Sequence, residues 1–219
     1  MPNYHPTPEM LTAFSAGNLQ LSHALCVSVH TEHCDECRVN LQRLNSIATN
    51  LFEDLEPASL TDNLKNAVFS QLDNNVAEDK PPEKETSSNI PRALQQFVTE
   101  NYDSLTWKKV SSAIQSAYLC TDINGSKVEI MRIKAGGKVP AHTHTGDEYT
   151  LLLKGSFSDE DGLYNEGDFL VRDERHIHRP VVTKDRECVC LAVTDAPVKF
   201  TGFFTRWVNP LLRRGHFPL

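Results

Sequence analysis

His30, Cys34 and Cys37 stand in the spacing H-x3-C-x2-C, and His142, His144 and Glu148 stand in H-x-H-x3-E. Imidazole nitrogen, thiolate sulfur and carboxylate oxygen are the side-chain ligands of divalent transition metals, so both patterns point to metal binding. In the first, the three-residue separation of the cysteines puts both sulfurs on one face of a helix start. His30 lies one turn earlier and can close the same site across a helix–helix bend. A structural zinc site takes four protein ligands in a tetrahedron. His5, in a proline-flanked arm, is the best fourth candidate. His33 and His23 are weaker ones: His33 adjoins Cys34, where joint ligation strains the backbone, and His23 is two turns from His30. A redox dithiol competes for a bare C-x2-C pair, but three ligand positions in register favour a metal. An isolated domain of about 75 residues is marginally stable, whereas a structural zinc contributes roughly 10–16 kcal/mol of apparent binding energy. The helical part is therefore expected to lose its fold when the metal leaves.

H-x3-C-x2-C in a short N-terminal helical domain resembles the zinc-binding anti-sigma fold. Downstream, Gly136, His142, His144, Glu148 and Gly155 fit G-x5-H-x-H-x3-E-x6-G without a gap, which resembles the first motif of the cupin superfamily. Two histidines at i and i+2 on one strand point the same way, and the glutamate follows a short turn onto the neighbouring strand. The second cupin motif implies a further histidine on an opposing strand. Gly167-Asp168 opens it, and His178 is the choice for the ligand. His176 shares its parity and could substitute, or hydrogen-bond a ligand from behind. Three histidines and a carboxylate suit zinc, iron, manganese or nickel. Cys188 and Cys190 form C-x-C on a β-prone run and should face one side of their strand. Core packing and a redox-active thiol pair near the cupin metal are both open readings, and an i, i+2 disulfide would need local distortion. Cys26 and Cys120 read as core.

Helical periodicity dominates the elements that must carry the first site. Thr7 as N-cap, Pro8 at the first position and Gly17 as stop delimit one helix with Met10, Leu11 and Phe14 on its apolar stripe. A second carries Leu21, Ala24, Leu25 and Val29, a third spans about 35–52, and a fourth carries Leu60, Leu64, Ala67, Val68 and Leu72. That fourth helix could pack onto a partner. Residues 74–92 are polar, with three prolines, and read as a linker. The division expected is a helical domain over 1–75, a linker over 76–92 and a second domain over 93–219. The second domain should open with a short helix over 91–100. Then β-prone runs at 128–133, 149–153, 169–171, 188–193 and 200–204 alternate with Gly- or Asp-rich turns, which predicts an all-β jelly-roll barrel. Trp107 and Trp207 are placed to close its core. The fold class expected is therefore multidomain: an all-α bundle followed by a cupin barrel.

Residues 1–80 hold eleven acidic and four basic side chains, so the whole net charge of −7 lies there. An acidic surface repels phosphates and attracts basic partners, which argues against direct DNA binding; Arg206, Arg213, Arg214 and His216 make only a short basic tail. No run approaches ~18 apolar residues, and the first residues lack the basic and apolar regions of a secretion signal. A cytoplasmic location off the membrane is expected, where six cysteines serve better as ligands or thiols than as disulfides. Taken together, the two motifs and the linker resemble the ChrR family of anti-sigma factors over essentially the whole chain. The resemblance implies zinc on His5, His30, Cys34 and Cys37, and zinc or another divalent metal on His142, His144, Glu148 and His178. It implies an extracytoplasmic-function-type sigma factor as partner, held by the helical domain and released when the cupin domain responds to singlet oxygen or related oxidants. It implies no catalysis. A metal-dependent cupin enzyme, a dioxygenase or isomerase with a regulatory zinc domain, is the competing reading.

Overall fold

The computed structural model describes residues 1–61, 63–74, 90–202, 207, 209 and 210. Helices α1 (Pro8–Ser15), α2 (Leu21–His33), α3 (Asp35–Glu53) and α4 (Leu64–Asn74) come first. The local signals act as expected in α1: Thr7 Oγ accepts from the Met10 amide at 3.3 Å, and Gly17 turns out of the helix with φ +67°. Cys34 ends α2 in an extended conformation and caps α3, its sulfur accepting from the Cys37 amide at 3.4 Å. The bend between these two helices therefore falls on a cysteine. None of the described helices is long and apolar enough to cross a membrane.

Strands β1 (Lys108–Lys109), β2 (Ile114–Thr121), β3 (Lys127–Ile133), β4 (His142–Thr143), β5 (Glu148–Lys154), β6 (Ser156–Ser158), β7 (Leu163–Asn165), β8 (Phe169–Arg172), β9 (Val181–Val182), β10 (Cys188–Thr194) and β11 (Lys199–Phe200) follow. A six-stranded sheet runs β1-β2-β3-β10-β5-β8, with every pairing antiparallel. The opposing wall is made by β7-β6-β9 and β11-β4, with single bridges joining Lys138 to Val181 and His142 to His178. An all-α segment is thus followed by an all-β cupin-like barrel, the expected fold class.

Side chains alternate across the large sheet. Leu152 of β5, Leu170 of β8 and Cys188 of β10 belong to the barrel's own core, with Phe157 and Tyr164 from the opposing wall. Tyr149, Leu151, Leu153, Val189, Leu191 and Val193 belong to a second cluster that also contains Leu11, Cys26, Val27 and Val29 of the helices. The sheet is apolar on both faces because helices cover its outer one, which is why Cys188–Val193 reads as an unbroken hydrophobic run. Helix α2 is packed against α1 and α3 on one side and against β5 and β10 on another. A polar latch holds its start: Ser22 Oγ and Gln20 Nε2 donate to Asp122 at 2.5 and 2.6 Å, and His23 Nε2 lies 3.1 Å from Asp195.

This packing corrects several expectations. The buried face of α2 is Ser22, His23, Cys26, Val27, Val29 and His30, while Leu21 is 74% exposed, because the helix is enclosed by two layers rather than laid on one. The helices share a core with the barrel, so the marginal stability of a free-standing 75-residue domain does not describe them. Residues 90–92 are packed rather than linker: Ile90 enters the shared core, and the Arg92 and Ala93 amides donate to Glu32 at 3.0 and 3.4 Å. The remaining linker residues 75–89 lie outside the described residues. The expected helix over 91–100 is only a 3-10 turn at Arg92–Leu94. Trp107 packs on the shared core under the Arg132 guanidinium, 4.4 Å from its ring, but Trp207 is 75% exposed and closes no core. Of the expected strand over 200–204 only Lys199–Phe200 is seen; positions 203 and 204, and the basic Arg206, Arg213, Arg214 and His216, lie outside the described residues.

Leu191 is fully buried in the shared cluster. Leu191→Ala should lower the unfolding free energy by about 2–5 kcal/mol. In urea titrations the helical circular dichroism and the Trp107 fluorescence should shift together. Separate transitions would show that the shared core does not link the two parts.

Candidate metal centres

The bend at Cys34 brings the end of α2 onto the start of α3. His30 Nε2 lies 3.3 Å from Cys37 Sγ, and His5 Nδ1 lies 3.3 Å from Cys34 Sγ and 3.6 Å from Cys37 Sγ. One donor atom from each of the four residues lies within 4.8 Å of every other. A tetrahedral zinc, about 2.3 Å from sulfur and 2.0–2.1 Å from nitrogen, would separate a sulfur from a nitrogen by about 3.5 Å. The donor types and their spacing fit that ion. His33 and His23 stand outside the group; His23 instead meets Asp195.

The electrostatics suit a cation. Burial is the largest influence on His30, holding its pKa down at about 4 and the ring neutral. Its Nδ1 donates to the Gly167 carbonyl at 2.8 Å, so Nε2 presents its lone pair to the sulfurs. Burial, then the neighbouring Cys34, push the Cys37 thiol up to about 12. Without a metal this thiol stays protonated at neutral pH, and a bound dication must expel that proton.

The second group forms where the two walls of the barrel meet. His142 on β4 bridges to His178, and Glu148 begins β5. His178 Nε2 is 3.0 Å from His142 Nε2 and 3.3 Å from His144 Nε2, near the roughly 3.4 Å separation that tetrahedral zinc would give two nitrogens. His142 Nδ1 donates to the Pro140 carbonyl at 2.9 Å, and His178 Nδ1 donates to Asp159 Oδ2 at 3.1 Å. His144 Nδ1 lies 3.1 Å from Glu148 Oε2. Protons held on these Nδ1 atoms leave three Nε2 lone pairs converging in a buried space, an arrangement that a cation relieves. His142, His144, Glu148 and His178 all offer donors within 4.8 Å of one another. Burial lowers His142 to about 4 and His144 to about 3, and raises Glu148 to about 7.

His176 is not brought into this group. Its Nδ1 turns to Asp173 at 2.8 Å, closing a turn away from the ligands. Cys188 and Cys190 are both buried and free. A hydrogen bond with Cys188, then burial, raise the Cys190 thiol well above its ordinary range, so it is a poor nucleophile as it stands. Asp159 and the Gly167 carbonyl, which orient ligand rings, were not singled out from the sequence. Asp159 sits in an ordinary-looking acidic turn, and a carbonyl has no sequence signature.

Two outcomes follow for metal removal. Cys37→Ser should leave one metal per chain where the loaded protein holds two, by elemental analysis. The metal-free protein should lose stability on acidification. Its unfolded histidines titrate near 6.5 and the folded ones near 3–4, so the unfolded chain binds more protons as pH falls through that window. Glu148 works oppositely, its contribution being lost as pH rises from 4.5 through about 7, but three histidines outweigh one carboxyl. Thermal melts of the metal-free chain should fall between about pH 7 and about pH 5, and bound metal should defer the fall to lower pH. A flat or rising profile in the metal-free form would contradict the assignment of neutral buried imidazoles.

Comparison with known proteins finds relatives that match over nearly the whole chain. Residues 95–198 match the model of the ChrR cupin-like domain family. The anti-sigma-E factor ChrR of Cereibacter sphaeroides is 32% identical over 211 residues, 96% of this chain and 98% of that protein. A crystal structure of Rhodobacter sphaeroides SigE in complex with the anti-sigma ChrR aligns with a TM-score of 0.78 and 30% identity, covering 89% of this chain and 100% of the matched one. With identity at this level over nearly its whole length, the chain belongs to the ChrR family of anti-sigma factors.

Proposed function

We propose that this chain binds an extracytoplasmic-function-type sigma factor, keeps it from RNA polymerase, and releases it when an oxidant such as singlet oxygen acts on the cupin-like part. The observation that carries the reading is an uncovered apolar helical surface on the acidic end of the chain. Leu64, Val68, Phe69 and Leu72 on α4 are all exposed, as are Ile47, Leu51 and Phe52 near the end of α3. Such apolar faces mark partner sites, and the surrounding negative charge favours a basic partner. The pairing of the related ChrR with SigE supports a sigma factor as the partner.

In this reading residues 1–75 hold the sigma factor, 93–219 sense, and 76–89 join them, with 90–92 docked on the shared core, all in the cytoplasm. Zinc on His5, His30, Cys34 and Cys37 would lock α2 to α3 and so orient the exposed apolar end of α3. Zinc or another divalent metal on His142, His144, Glu148 and His178 would tie the two barrel walls together. Cys188 and Cys190 are buried on β10, with the Glu148 charge felt at Cys190, and oxidation there would require the barrel to open first. A dioxygenase or isomerase needs a coordination position that substrate can reach. The burial of all three histidines favours the sensing role over the catalytic one.

Co-expression with the candidate sigma factor, followed by affinity capture, tests the reading. Wild type should retain the sigma factor. Val68→Glu/Leu72→Glu should weaken binding more than tenfold, equivalent to over about 1.4 kcal/mol, and Cys34→Ser/Cys37→Ser should weaken it as well. Singlet oxygen should release the sigma factor from wild type but not from His142→Ala/His144→Ala. Equal retention by all variants would sink the anti-sigma role; equal release from both would remove the cupin-like centre from sensing.

A further inference from the structure

We propose that the turn Tyr164–Phe169 couples the two metal centres, so that a metal in the cupin-like site strengthens metal binding in the N-terminal one. The proposal rests on both centres holding metal.

From the barrel side the turn is held through a ligand. Asp159 accepts from His178 Nδ1 on one oxygen at 3.1 Å and from the Tyr164 hydroxyl on the other at 2.9 Å. Arg172 Nη2 donates to the same hydroxyl at 2.7 Å. Tyr164 and the Asp159 side chain are fully buried. From the helical side, the turn holds both imidazole ligands of the first centre. The Gly167 carbonyl accepts from His30 Nδ1 at 2.8 Å. The Asp168 carboxylate accepts from the Asn3 and Tyr4 amides at 2.6 and 3.2 Å, and the Phe169 amide donates to the Tyr4 carbonyl at 3.0 Å, which fixes the arm carrying His5. Tyr4 also meets Tyr164 edge to face, with ring centroids 4.8 Å apart.

No slack separates these parts. Gly167 adopts φ +89°, and a Cβ there would come within 2.8 Å of Pro2 and 3.1 Å of His33. A metal on His178 Nε2 fixes the ring proton on Nδ1 and makes that N–H a stronger donor to Asp159. Without the metal the His178 ring is anchored on its Nδ1 side only, and ring and Asp159 are free to shift together. Asp159, and with it Tyr164 and the arm, would settle differently. Asp159 and Tyr164 are therefore positioning residues for the distant centre. Such coupling between binding sites is reciprocal.

Cobalt tests this in the full-length protein, because only the N-terminal centre offers thiolates and so gives thiolate-to-cobalt charge-transfer absorption. Its affinity is read by competition with a chelator. His142→Ala, which empties the cupin-like site without touching the turn, should weaken cobalt binding at the thiolate centre about fivefold or more. In a Tyr164→Phe background, which keeps the ring and removes the hydroxyl, His142→Ala should have no further effect. Asp159→Asn should likewise abolish the dependence, and circular dichroism identifies any variant that fails to fold. Cys37→Ser should in turn weaken the cupin-like site of wild type by a similar factor. An unchanged effect of His142→Ala in folded Tyr164→Phe and Asp159→Asn proteins overturns the coupling while leaving both centres intact. Absence of the charge-transfer band from wild type overturns the metal reading itself.

Discussion

Helix α2 is enclosed by two layers, and the arrangement of both centres depends on that constraint. One side packs on α1 and α3 and the other on the outer face of β5 and β10. Because α2 cannot rotate without exposing Cys26, Val27 and Val29, His30 is held with one nitrogen toward Cys37 and the other toward Gly167. The N-terminal arm is then fastened between Asp168 and Tyr164, which delivers His5 to the remaining side of the site. A helix that belonged only to a small bundle would leave this centre to be organised by the metal alone. Here the barrel organises much of it in advance.

The two centres answer the same electrostatic problem with different chemistry. Each gathers imidazole lone pairs around largely buried donors, and each uses a far ring nitrogen to fix a tautomer. The N-terminal centre adds two sulfurs, whose protons must leave before a cation can enter. The cupin-like centre adds Glu148, whose pKa burial raises to about 7, and a bound cation would displace its proton and stabilise the carboxylate. Both are therefore unfavourable when empty, and filling either one stabilises the surrounding packing.

Much was legible because it is local. Thr7, Pro8 and Gly17 delimit α1 through a hydroxyl, a fixed φ and a positive φ, none of which needs a distant partner. The spacing of His142, His144 and Glu148 follows strand parity and a short turn. The structure brings the four expected donors of each group within 4.8 Å of one another. The face of α2, the packing of residues 90–92 and the exposure of Trp207 were not legible, since each depends on which surface happens to lie opposite.

Element types, candidate donor residues and the concentration of negative charge before residue 80 are readable along the chain. These are properties of short windows, set by backbone preference, side-chain periodicity and composition. Only the tertiary structure decided that the helices and the barrel share one core. It alone revealed that Asp159, Tyr164 and Gly167 stand between the centres. An unbroken apolar strand says that both its faces are covered, not by what. A hydrogen bond between residues 30 and 167 exists only once two surfaces have met, so no pattern along the chain could announce it.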